Sequence, residues 1–129
     1  VFGVCRGLHT INVLLGGEVP NNIRSDTSVD HVASDHTIAI NAEVASALEL
    51  PACQSVNSFH NQGLRPNETS DQVSIFASCE DGIVEGIYHP SEPIVAVQWH
   101  PERKNSPKKL DKLLLKALIE QKYFWNGKP

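Results

Sequence analysis

Methionine is absent from this chain of 129 residues, and cysteines and aromatic residues are few: three Cys, two Trp, two Tyr and four Phe. The lack of Met fits an internal stretch of a longer protein. An odd, small number of cysteines excludes a disulfide framework and points to a reducing compartment, with Cys53 and Cys79 expected as small buried hydrophobes. No apolar run approaches the roughly 20 residues of a transmembrane helix, and the start carries no basic stretch followed by an apolar run and a cleavage site. A cytoplasmic location is therefore the expectation. Phosphate-binding loops and aromatics interleaved with basic residues are also missing, so neither nucleic acid nor a membrane is an expected partner. There are no repeats, no low-complexity tracts and no interdomain linker.

What is present is a globular composition, 40% hydrophobic, with a net charge of −4 that is unevenly spread. Residues 103–129 hold eight of the eleven Lys/Arg but two of the fifteen acids. That basic end reads as one face of an amphipathic helix over 106–122. Ser106 can cap it, Pro107 suits its first turn, and Leu110, Leu113, Leu114, Ala117 and Leu118 form the apolar stripe.

Upstream, the pattern is that of an α/β protein. Residues 1–4 read as a buried strand and 6–15 as a helix ended by Gly16-Gly17. Residues 18–28, polar and without period, read as a surface loop. Val29–Ala33 and Thr37–Asn41 suggest a short strand pair, Ala42–Leu48 a helix ending before Pro51, and Gln54–Ser58 a further strand. Gln72–Glu80 and Ile83–His89 alternate around Asp81-Gly82, which predicts a small antiparallel hairpin with a tight primed turn. Ile94–Gln98 is a last short strand, delivering its following residues to the sheet edge where open α/β sheets place their chemistry.

Two segments carry the chemistry. In Val-Phe-Gly-Val-Cys5-Arg6-Gly7-Leu8, an apolar strand runs into a cysteine between glycines and then into a helix, the pattern of a nucleophile elbow. Such an elbow lifts the nucleophile above the sheet and aims the next N–H, that of Arg6, at a developing oxyanion. Far downstream, Val97-Gln98-Trp99-His100-Pro101-Glu102 supplies a histidine and a carboxylate two apart. Together they make a Cys5–His100–Glu102 triad: nucleophile, base, and the group that orients the base.

The stretches GVCRG and VQWHPE, with Val56–Gly63 (VNSFHNQG) and Asp81–Gly86 (DGIVEG) between them, resemble the class I glutamine amidotransferases, in their γ-glutamyl-γ-aminobutyrate hydrolase branch. The resemblance covers nearly the whole chain. It implies a flavodoxin-like fold, an open and mostly parallel sheet with flanking helices, of which residues 1–129 form the C-terminal part. The N-terminal half would supply further βα units and a glycine-rich loop completing the oxyanion hole. The implied reaction is hydrolysis of a small γ-glutamyl amine through a glutamyl thioester. Alternatives are a glutaminase passing ammonia to a synthetase, and a fragment that is inactive until a missing N-terminal segment or a second copy complements it.

By the same resemblance, Ser58, Phe59 and His60 contact the glutamyl group. His9 follows Cys5 by four residues on the same helix face, where the family usually has Gln. His31 and His36 lack regular ligand spacing and are expected to be solvated or to line a pocket, so no metal and no cofactor are expected.

Overall fold

The computed structural model describes residues 1–23 and 31–120. Its elements run β1 (Phe2–Val4), α1 (Arg6–Leu14), β2 (Asn21–Asn22), β3 (Val32–Ile40), α2 (Ala42–Leu48), β4 (Cys53–Phe59), β5 (Gln62–Gly63), β6 (Ser74–Cys79), β7 (Val84–Tyr88), β8 (Val95–Val97) and α3 (Lys108–Glu120). Six strands form one sheet in the order β1-β8-β7-β6-β3-β4, while β2 and β5 pair apart from it. The parallel part is the β1–β8 pair, and the other pairings of the large sheet are antiparallel. A parallel pair needs a long crossover. Here everything from α1 to β7 is that crossover, so the first and last strands lie side by side with Val4 opposite Val97.

Burial of Val95 and Val97 against Leu110, Leu114 and Ala117 seats α3 on one side of the sheet. The stripe spaced three and four apart lands where its period predicts. Trp99, fully buried, donates its indole N–H to Asp111 Oδ1 at 2.8 Å and so locks the helix to the end of β8. A second cluster places Leu8 of α1 with Leu64, Val84, Ile87 and Ala96. Gly3 allows α1 to approach: a Cβ there would lie 2.7 Å from Ile11 Cδ1 and 3.0 Å from Ala96 Cβ. Gly7, by contrast, has open space around it, so the glycine on that side of Cys5 is not demanded by packing.

Several local expectations change. The two short strands foreseen around residues 29–41 are one nine-residue strand, β3, whose described part starts at Val32; residues 29 and 30 lie outside the described residues. The interruption is a β-bulge, with Ala33 at φ 52° and the register shifting between Val32 and Ser34. The hairpin after β6 is not built on a primed turn, which needs positive φ at both central residues. Only Gly82 has it, at φ 87°. Gly82 N–H reaches Cys79 O at 2.9 Å, and Ile83 N–H bonds Asp81 Oδ1 at 3.2 Å, giving a turn closed by glycine in the left-handed region. The loop expected over 18–28 contains β2, paired with Gln62–Gly63, and its residues 24–28 lie outside the described residues. Cys79 is buried as expected, but Cys53 is exposed because it starts the edge strand β4. Among the described residues no helix is long and apolar enough to cross a membrane.

Candidate active site

Cys5 sits between β1 and α1 with φ 52° and ψ −103°, a conformation that costs a non-glycine residue on the order of 1–3 kcal/mol. The parallel register holds it there, since Cys5 N–H donates to Val97 O at 2.8 Å. The bend places Cys5 at the N-terminus of α1, where the backbone N–H of Arg6 acts to lower the pKa of the thiol. Gln98, the residue after β8, donates from Nε2 to Cys5 Sγ at 3.5 Å and accepts His9 Nε2–H at 2.8 Å. The chain His9 to Gln98 to Cys5 thus runs across from α1 to β8 and back. Burial pushes the Cys5 thiol above its ordinary pKa, opposed by the Arg6 N–H, the Gln98 amide and the charge of Arg103.

Two residues beyond Gln98, His100 Nδ1–H donates to Glu102 Oε2 at 2.7 Å. This leaves Nε2 as the basic nitrogen. The loop that carries the pair is pinned by Asn57 of β4. Its Oδ1 accepts His100 N–H at 2.9 Å, while its Nδ2 donates to His100 O and to Lys104 O, each at 2.9 Å. Phe59 stands edge-on to His100, ring centroids 5.8 Å apart, and the Arg103 guanidinium lies over the Phe59 ring, 4.5 Å from its centroid. A cleft of about 110 Å³ opens beside Cys5, lined by Arg6 and His9 from α1, by Phe59 at the end of β4, and by His60, Asn61 and Gln62 leading into β5.

Residues 1–102 match the family model described as Peptidase C26. The chain belongs to the Peptidase C26 family. It is 34% identical over 110 residues to a glutamine amidotransferase-like protein, YvdE, of Lactococcus lactis, covering 79% of this chain and 45% of that protein. To the γ-glutamyl-γ-aminobutyrate hydrolase PuuD of Escherichia coli it is 28% identical, covering 92% of this chain and 52% of the hydrolase. The chain spans about half the length of the curated relatives it matches. Among solved structures, a glutamine amidotransferase from Thermotoga maritima superposes with a TM-score of 0.62 at 13% identity, over 93% of this chain and 46% of that one. A GMP synthase component from Thermoplasma acidophilum superposes with a TM-score of 0.74 at 19% identity, over 93% of this chain and 57% of that one. The fold is that of the class I glutamine amidotransferases.

Within this Peptidase C26 fold the sequence-derived residues divide. Cys5, Arg6, His9, Phe59 and His60 share the cleft, and His100 meets it through Phe59. Ser58 does not line it: fully buried, its hydroxyl donates to His31 O at 2.8 Å and fastens β4 to the start of β3. His60 lines the cleft with part of its ring, but Nδ1–H is held by Gln62 O at 2.7 Å and burial drives its pKa down to about 4. Gln98 and Asn57 were not singled out in the sequence. Their signal was position alone, each lying within three residues of a residue already chosen.

Proposed function

We propose that this chain carries the catalytic centre of a γ-glutamyl amide hydrolase with Cys5 as nucleophile. The observation that carries the reading is the strained elbow at Cys5, its sulfur met by the Arg6 N–H, with His100 and Glu102 delivered by the strand paired in parallel beside it. In the reaction, His100 Nε2 takes the thiol proton as the sulfur attacks the γ-carbonyl carbon. The oxyanion that forms accepts the Arg6 N–H. As the C–N bond breaks, His100 returns the proton to the departing amine, leaving a γ-glutamyl thioester on Cys5. A water deprotonated by His100 then attacks the thioester, releasing glutamate and restoring the thiol. Glu102 holds the ring by Nδ1–H and stabilises its charged form. The resemblance to a γ-glutamyl-γ-aminobutyrate hydrolase favours a γ-glutamyl amine over free glutamine as substrate. The remaining oxyanion donor is assigned to the half of the relatives' length that this chain does not span.

The test compares release of amine from γ-glutamyl-γ-aminobutyrate with release of ammonia from glutamine, together with intact-mass detection of the thioester. Wild type is expected to prefer the γ-glutamyl amine and to gain one glutamyl mass on Cys5. His100→Ala should lose about 10²–10⁴-fold in thioester formation, the range of a general base, and Glu102→Gln less. Turnover of glutamine alone points to an ammonia-supplying glutaminase. Equal thioester formation by wild type and His100→Ala sinks the base assignment.

A further inference from the structure

Away from the thiol, the strands gather His31, His36, His60 and Glu85 into one buried group, their candidate ligand atoms all within 4.8 Å of one another. The bulge at Ala33 is what brings the first two together. In an unbroken strand residues five apart face opposite sides; one inserted residue turns His31 onto the face of His36. Around the centre the ring nitrogens converge on Glu85 Oε2, with His31 Nδ1 at 3.6 Å and His36 Nε2 and His60 Nε2 at 3.7 Å each. None of these contacts is a hydrogen bond, and among the described residues neither Glu85 oxygen has a hydrogen-bond partner although the side chain is wholly buried.

The outward nitrogens explain why. His31 Nε2–H is committed to Asp81 Oδ2 at 2.7 Å and His60 Nδ1–H to Gln62 O at 2.7 Å, so the nitrogens facing Glu85 present lone pairs. His36 Nδ1 lies 3.5 Å from Cys79 Sγ, again leaving Nε2 toward the centre. Lone pairs and a carboxylate facing one another without a donor repel, and a buried carboxylate in that position is costly. An imidazolium would instead close to hydrogen-bond distance. A cation among them removes the conflict. Tetrahedral ligands at zinc bond lengths stand about 3.3 Å apart, so the ring nitrogens, 3.6–3.7 Å from Glu85 and no more than 4.8 Å from one another, complete the set by moving inward. The carboxylates of Glu85 and Asp81 balance a double charge, and Asp81 behind His31 is the carboxylate–histidine pairing that orients a metal-bound ring.

We infer that His31, His36, His60 and Glu85 form a closed, structural binding site for a divalent transition metal of the zinc class. Four protein ligands with nearly buried side chains, His36 the most exposed at 6%, leave no open position for substrate. Its effect is to tie β3, β7 and the turn after β4, which includes the Phe59–Gln62 wall of the cleft. This inference is independent of the γ-glutamyl reading. The test loads chelator-treated protein with Co²⁺ and records its visible absorption, then measures zinc by mass spectrometry after incubation with Zn²⁺ and desalting. One Co²⁺ per chain with the intense bands of four-coordination, displaced by one Zn²⁺, is expected. Asp81→Asn, which keeps all four ligands, should weaken affinity about 10–100-fold, and Glu85→Gln should abolish the four-coordinate spectrum. Wild-type protein that retains no stoichiometric metal overturns the site whatever the variants do. So does a Co²⁺ spectrum unchanged in Glu85→Gln.

Discussion

At the scale of the residue, Cys5 shows how a spacing pattern becomes a chemical environment. Its role as the elbow residue was legible because the strand, the glycine and the helix that follow one another in sequence are also neighbours in space. Gln98 was not legible, since its bond to the sulfur depends on the β1–β8 register, and no local pattern reports a pairing of residues more than ninety positions apart. Despite that bond, the thiol rests protonated. Burial raises its pKa, and a raised value means less thiolate at neutral pH, so the nucleophile awaits the imidazole. Alkylation of Cys5 by iodoacetamide should therefore speed up with pH through a midpoint above that of an ordinary thiol. Exposed Cys53 will react as well, so the reading must be taken at the Cys5 peptide by mass spectrometry. A Cys5 midpoint below the ordinary thiol range would mean that the resting thiolate needs no base.

Among the elements, β4 reaches both parts of the candidate site, the cleft and the His100 loop. Its ends supply Phe59 and the turn that walls the cleft, and Asn57 grips the His100–Lys104 loop by three hydrogen bonds. The span of α2 and the apolar stripe of α3 were legible because helix formers and 3.6-residue periodicity are local, but the caps were not: Asn41, read as the end of a strand, caps α2 by accepting Val44 N–H at 2.9 Å, while Ser106, read as the cap of α3, donates to Pro101 O instead. The bulge in β3 was not legible, because Ala33 has no intrinsic preference for positive φ and is held there by the strands beside it. Two short strands in place of one bulged strand also hid the meeting of His31 with His36. For Asn57→Ala, three groups of the loop lose their partner in a buried setting, so a loss of about 1–3 kcal/mol is expected by chemical denaturation. Because the loop holds His100, kcat should fall more than KM changes. Asn41→Ala, losing a cap far from the cleft, should cost about 1 kcal/mol and leave kcat alone. If both variants leave kcat at the wild-type level, Asn57 is a stability residue with no part in placing the base.

On the scale of the whole molecule, the sheet ends on one side at β1, which pairs with β8 and, among the described residues, with nothing beyond it. Beside that edge lies an apolar hollow of about 400 Å³ bordered by Phe2, Val4, Pro101 and Leu115. Leu14 on α1 and Ile119 on α3 are 78% and 72% exposed, so apolar side chains stand out on these two helices. An uncovered strand edge next to apolar surface invites pairing with another chain. We propose that the part of the relatives' length that this chain does not span covers this edge by continuing the sheet from β1. Residues 1–129 prepared alone should then self-associate in sedimentation velocity and bind a hydrophobic dye, and turnover should be low for want of the second oxyanion donor, a loss of roughly 10²–10³-fold. Joining the N-terminal half of a Peptidase C26 relative ahead of Val1 should restore a single species, suppress the dye signal and raise γ-glutamyl hydrolysis together, since one added strand fills the edge and brings the donor loop. A dye-negative monomer of residues 1–129 with full activity would show instead that β1 is a natural edge and that Arg6 alone suffices for the oxyanion.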